Sequence, residues 1–135
     1  KLQGVIRVTG ADLARGTKFA DAVVSCDNPI DDVMRASASM THDTVIEKGS
    51  YYTLPFRALI PETVTNLMFA GRIISADATA FASVRGMPQC MAMGQATGTA
   101  AVLALQFGCA VQAVDTKQLV KELAKQGVNR LEAAA

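Results

Sequence analysis

The stretch Met87–Ala101, MPQCMAMGQATGTAA, constrains this chain more than any other part of it. It is uncharged and crowded with Gly, Ala and Thr. A core helix needs bulky side chains and a surface helix needs charge; this segment supplies neither. Pro88 suits a helical first turn, where its missing N–H leaves no bond unmade. From there to Phe107 only Gly94 and Gly98 interrupt, and two interior glycines cost roughly 2 kcal/mol of propensity against alanine. Gly94, Gly98 and Ala101 share one face, so the spacing predicts a long helix, Pro88–Phe107, approached closely by a strand or ligand. Small residues spaced in this way also mark membrane-helix dimers. Gln95, Thr97, Thr99 and Gln106, with no basic flanks, argue against a membrane span.

The elements around this helix follow from simple patterns. GVIRVTG (Gly4–Gly10) alternates as a short strand does. ADLARGTKF reads as a helical turn closed by Gly16, and Ala22–Cys26 as a short apolar run before NPIDD. Residues 35–50 are polar and unpatterned, hence loop. YYTLPFRALIP is expected to be extended, since Pro55 and Pro61 push Leu54 and Ile60 away from helix. NLMFAG (Asn66–Gly71) is a continuous apolar run ending in glycine, as in a strand buried on both faces. Beyond it a loop holds Arg72, Asp77 and Arg85. Asp115–Gly127 reads as an amphipathic helix capped by Asp115 or Thr116 and closed by Gly127, with Leu119, Val120 and Leu123 facing inward.

At 135 residues the chain suits one α/β domain. A formal net charge of +1, no Trp and no basic run with interleaved aromatics exclude nucleic acid as an obvious partner, and give no pull toward anionic membranes. Cys26, Cys90 and Cys109 are widely spaced, which fits reduced thiols in a cytoplasmic protein rather than a disulfide framework or a zinc site. The lone His42, in MTHDT, reads as a surface residue, and no metal site is expected. Lys1 begins in mid-pattern with no apolar leader, so the chain is expected to be part of a longer protein. No function is placed on the ending RLEAAA.

A strand, a glycine, a loop and a glycine-rich helix N-terminus together present free N–H groups to an anionic or electron-rich ligand. Many α/β domains share that order, so the pattern alone does not name the ligand. The longer sequence does more. From YYTLPFRALIP through NLMFAGRIIS to RGMPQCMAMGQATGTAA, residues 51–105 follow a pattern Y-x-(I/L)-P-(Y/F)-R-x-L-(I/V)-P … N-L-L-x-A-G-R-x-I-S … R-x-M-P-x-C-M-x-x-G-Q-A-x-G-x-A-A. This resembles the C-terminal segment of a family of bacterial FAD-dependent oxidoreductases. Upstream, GVIRVTGADLARGTKFADAV is similar to the end of that family's substrate region.

The resemblance implies an FAD cofactor and the C-terminal part of a three-layer flavoprotein fold. It implies that residues 1–50 end a substrate-type region and 51–135 belong to the FAD-binding domain. Gly71 and Arg72 would pass the ribityl–pyrophosphate region, and Pro88, Gln89, Cys90 and Met91 would cap the flavin ring. The helix N-terminus there favours the negative charge of reduced flavin. The family's GxGxxG fingerprint, which grips the ADP moiety, does not occur in this sequence. Alone, the chain is therefore expected to bind FAD weakly or not at all; its partners would be the rest of the same flavoprotein, a small-molecule substrate and a second copy.

The sequence departs from the family where chemistry would sit. Relatives read S-A-T-H-E-A-H-G-S after G-R-x-I, whereas Ser75–Ser83 here is SADATAFAS, with neither histidines nor glutamate. A related I-D-I-H stretch appears as Ile30-Asp31-Asp32-Val33. Arg85 could bind a substrate carboxylate, offset flavin charge or brace the loop, and Asp77 could act as a base or cap the loop. Arg57 is expected to anchor the extended segment. Cys90, in a helical first turn, is either a reactive thiol or a packed small residue. Two classes stay open: an oxidoreductase, and a non-catalytic interaction or dimerisation module that kept the scaffold.

Overall fold

The computed structural model describes residues 2–30, 46 and 50–128. His42 and the Asp31–Val33 positions lie outside them. Four helices and one small sheet make up the described part. They are α1 (Gly10–Ala14), β1 (Ala22–Cys26), β2 (Tyr52–Pro55), α2 (Ala78–Val84), α3 (Met87–Phe107) and α4 (Thr116–Lys125), with 3₁₀ turns at Phe56–Leu59 and Val111–Ala113. The fold class is α/β, as the sequence implies.

β1 and β2 pair antiparallel, Cys26 with Tyr52, Ser25 with Thr53, Val24 with Leu54 and Ala22 with Pro55. The extra residue, Val23, makes a bulge. All four β2 residues are buried. α3 and α4 pack on each other and on β1, while α1 packs on α2 and β2. The core thus forms around the strand pair, from Val24, Leu54, Phe56, Leu59, Met93, Leu103, Leu119 and Leu123.

Two polar contacts, one half-exposed and one buried, lock this arrangement. Asp21 accepts hydrogen bonds from the backbone N–H of Arg57 at 3.1 Å, from Arg57 Nε at 2.9 Å and from its terminal nitrogen at 3.1 Å. Arg57 therefore anchors the segment after β2 to the start of β1, as expected. The Tyr52 hydroxyl donates to Ser83 Oγ at 2.7 Å, which donates in turn to the carbonyl of Asn28 at 2.7 Å. Both Tyr52 and Ser83 are fully buried, so each polar atom needs such a partner. Burial pushes the Cys26 thiol up to about 12, which leaves it protonated and unreactive.

Several expectations need correction. Asn66–Gly71 is not a strand. Leu67 is 39 % exposed and Met68–Ala70 are half-buried. The segment is tied to the fold by Phe69 N–H donating to the Leu59 carbonyl, and at Asn66, whose N–H donates to Gln112 Oε1 and whose Oδ1 accepts from Val111 N–H. Its apolar run would need neighbouring strands on both sides, and no described segment supplies them. Gly4–Gly10 keeps the in–out alternation, with Val8 buried and Val5 and Arg7 exposed. It bonds only through single bridges, Gly4 to Pro61 and Val8 to Ala76. The stretch YYTLPFRALIP is extended at Tyr52–Pro55 and Ile60 but turns through Phe56–Leu59, because the proline restriction acts on the single preceding residue. The supposed loop after Gly71 contains α2, nucleated by Asp77, whose side chain caps it.

α3 runs as expected from the proline in its first turn to Gly108, whose φ of 63° closes it in the left-handed conformation. Gln89, Met93, Ala96, Ala100 and Leu103 face the core. The close approach expected at Gly94 and Gly98 does not occur among the described residues: a side chain at either would meet none of them within 4 Å.

The Asp21–Arg57 pair carries a pH signature. Burial raises the Asp21 pKa, but the hydrogen bonds and charge of Arg57 outweigh it, and the carboxyl sits below its ordinary value. A depressed carboxylate contributes stability that is present above the unfolded pKa, about 3.9, and is lost as pH falls through the folded one. Asp21→Asn should therefore cost about 1–2 kcal/mol at pH 7, and the gap to wild type should shrink below about pH 4 in urea titrations.

Candidate functional site

The site lies where the turn after residue 70 meets the start of α3. Gly71 adopts φ 81°, a backbone that side chains rarely take, and its α-carbon faces Cys90: a side chain there would lie 3.7 Å from Cys90 Sγ. The carbonyl of Arg85 accepts from Arg72 Nε at 3.4 Å and from Cys90 Sγ at 3.6 Å. One carbonyl thus gathers the turn, the end of α2 and the first turn of α3. Gly71, Arg72, Arg85 and Cys90, which span 20 positions of sequence, come together here. Pro88 and Met91 stand on the exposed side of the same helix end.

The start of α3 is electrostatically prepared for an anion. No side chain caps it and no acidic residue lies in its first turn. Its amide groups and dipole are therefore not neutralised from within its own first turn or by a side-chain cap. Arg72 is exposed and Arg85 half-buried beside it.

Gln89, at the third helical position, is 8 % exposed, and its Oε1 is buried without a hydrogen-bond partner among the described residues. The amide folds back onto Gly86, where any added side chain would collide with Oε1. Glutamine at this position normally reaches back to bond the N-cap amide; here it reaches back without making the bond.

Asp77 does not join this group. Its carboxylate accepts from Ala80 N–H at 2.7 Å and from Gly10 N–H at 3.2 and 3.1 Å. It caps α2 and ties it to α1, the capping alternative of the two expected. A catalytic base at Asp77 has no support from this arrangement. Sequence reasoning missed Gly86, whose lack of a side chain makes room for the Gln89 amide, and the Tyr52–Ser83–Asn28 relay. Neither has a local signal, since each depends on residues distant in sequence or on one rotamer.

Two cavities of about 380 Å³ each lie toward the other end of α3. One is a groove against α4 with a mixed lining, where Gln95 Nε2 donates to Gln126 Oε1 at 2.9 Å and Thr99 bonds the same amide. The other is mainly apolar, lined by Leu103, Phe107, Cys109 and Val114. Among the described residues no three His, Cys, Asp or Glu side chains gather as a metal ion would need. No helix among them is long and apolar enough to cross a membrane.

Comparison with known proteins decides the family: the model for FAD dependent oxidoreductases matches residues 1–123. The chain belongs to that family. No curated protein and no solved structure matches it significantly. The family's cofactor is FAD, and the residues at the junction fit it. Uncapped amides and two guanidinium groups suit a ligand with a pyrophosphate and an electron-rich ring edge. The buried, unpartnered Gln89 oxygen is a polar group of the kind that a ligand donor completes.

An unpaired buried carbonyl oxygen costs stability, so Gln89→Met, similar in shape, should stabilise the ligand-free chain by about 1 kcal/mol. A thermal melt that rises by a few degrees supports this. A melt that falls would mean that the amide is bonded in solution.

Proposed function

We propose that this chain is the C-terminal portion of an FAD-dependent oxidoreductase and forms the wall against which the flavin lies. The observation that carries the reading is the junction of Gly71 with Cys90, which sets an uncapped helix start beside Arg72 and Arg85. FAD, when bound, supplies the electron transfer. The chain's own residues bind and orient it. Gly71 and Arg72 line the ribityl–pyrophosphate side, and Pro88, Gln89, Cys90 and Met91 face the ring. The positive end of α3 favours negative charge at the neighbouring ring edge. Residues 1–50 belong on this reading to the substrate region and 51–135 to the FAD-binding domain.

The ADP moiety needs a second grip. A GxGxxG fingerprint is the usual one, and this sequence has none. We assign that grip to the remainder of the same flavoprotein, and the substrate to a small molecule, in the cytoplasm. Arg85, half-buried at the junction, is the candidate for a substrate carboxylate. One observation favours a second reading, a scaffold that kept the fold without catalysis. The positions of the relatives' histidines and glutamate are here built into α2 as Ala78, Thr79 and Phe81, none of which moves a proton at neutral pH.

The longest chain that the gene encodes should purify with FAD and show its absorption spectrum. Arg72→Ala and Gln89→Met should each lower bound FAD per chain several-fold, on the scale of one lost charge-assisted contact, while leaving the fold intact by circular dichroism. A folded full-length product without flavin would defeat the first reading. Bound flavin that no small-molecule reductant reduces faster than it reduces free FAD would favour the second.

A further inference from the structure

The start of α3 presents hydrogen-bonding groups of both kinds, and together they discriminate among ligands. Helix geometry leaves the N–H groups of the first positions without partners inside the helix. Met87 and Gln89 therefore offer donors, while Pro88 between them has no N–H to offer. The third group is an acceptor. Gln89 Oε1 lies where a side chain of Gly86, the N-cap residue, would begin, and it bonds none of the described residues. Gln89 as a whole is only 8 % exposed, so water does not supply the missing bond.

An ionised phosphate or carboxylate carries acceptors only. Set at this helix start, it would satisfy the two amides and leave Oε1 facing another oxygen. A ligand edge that matches all three groups must instead place a carbonyl beside an N–H, as an imide or a lactam does. Arg72 and Arg85 have donors only and suit phosphate. The junction thus sorts two parts of one ligand: anionic groups toward the arginines, an alternating edge toward the helix. Meeting that edge costs Oε1 little. Turning the amide outward about its side-chain torsions breaks no bond of Oε1 to a described residue and relieves the penalty of a buried, unpaired oxygen. Gly86 supplies the berth that the amide occupies beforehand, because any side chain there would fill it.

We infer that Gln89 Oε1 accepts a hydrogen bond from the imide N–H of the flavin ring, the nitrogen between its two pyrimidine carbonyls. The amides of Met87 and Gln89 donate to a carbonyl beside that N–H. The bond makes the start of α3 a subsite for the ring edge and not for the pyrophosphate. This inference rests on the flavin reading and adds to it the ligand atom that Gln89 contacts.

Methylating that nitrogen removes the one proton at issue and leaves the rest of the cofactor intact. The test titrates FAD and N3-methyl-FAD into the longest chain that the gene encodes, stripped of its flavin, and reads dissociation constants from flavin fluorescence. Wild type should hold FAD at least about fivefold more tightly than N3-methyl-FAD, the scale of one neutral hydrogen bond. Gln89→Met should bind FAD several-fold more weakly than wild type and hold the two cofactors alike, since a thioether is a poor acceptor. Circular dichroism checks its fold, and Gln89→Ala takes its place should the methionine disturb folding. Equal affinities in wild type would overturn the proposal and leave the flavin reading standing. So would a methylation penalty that persists undiminished in the variant, which would put a different acceptor, or a clash, at that nitrogen. A wild-type chain that binds neither cofactor would overturn both.

Discussion

The carbonyl of Arg85 is the point on which the site depends. It holds Arg72 Nε and Cys90 Sγ at once, and so fixes the turn at Gly71 against the first turn of α3. Without that junction, the helix start and the arginines would be three separate surface features. With it, backbone dipoles and two cationic side chains converge. Preorganised partial charge of this kind needs no rearrangement when a ligand arrives. The core serves the junction indirectly: Met93, Ala96 and Leu103 hold α3 on the strand pair, and Asp21–Arg57 holds the segment that leads from β2 toward residue 71.

The chemistry at the site is less complete than its shape. Asp77 is occupied as a cap and Cys26 is buried and protonated. Arg72, Arg85 and Gln89, to which the proposal gives the binding and orienting of ligand, are not groups that transfer protons at neutral pH. Membership of the FAD dependent oxidoreductase family fixes the cofactor class but not a proton path. α2 carries Ala78, Thr79 and Phe81, none of which exchanges a proton at neutral pH.

Much of this was legible in the sequence. Pro88 and Gly108 bound α3 on local grounds, and Asp115 caps α4 as its position suggests. The strand Ala22–Cys26 was visible as an apolar run. Its partner was not, because pairing with Tyr52–Pro55 is a long-range fact. The largest misreading was Asn66–Gly71, where an apolar run was taken as a buried strand. Burial on both faces needs neighbours, and a sequence pattern cannot say whether they are present. Gly94 and Gly98 show the same limit: a close approach was expected there, and none of the described residues makes it. Gln89 was placed at the site by the family pattern, while its orphaned oxygen follows from a rotamer that no pattern encodes.

The central claim is that FAD meets this chain at the Gly71–α3 junction and nowhere else on it. Titrating an isotope-labelled chain with FAD and following backbone amide resonances measures this directly, even for weak binding. The account predicts that any saturable shifts are confined to the amides of Gly71, Arg72, residues 85–87 and residues 89–91. Saturable shifts centred on the groove between α3 and α4, with those junction amides unmoved, would contradict it.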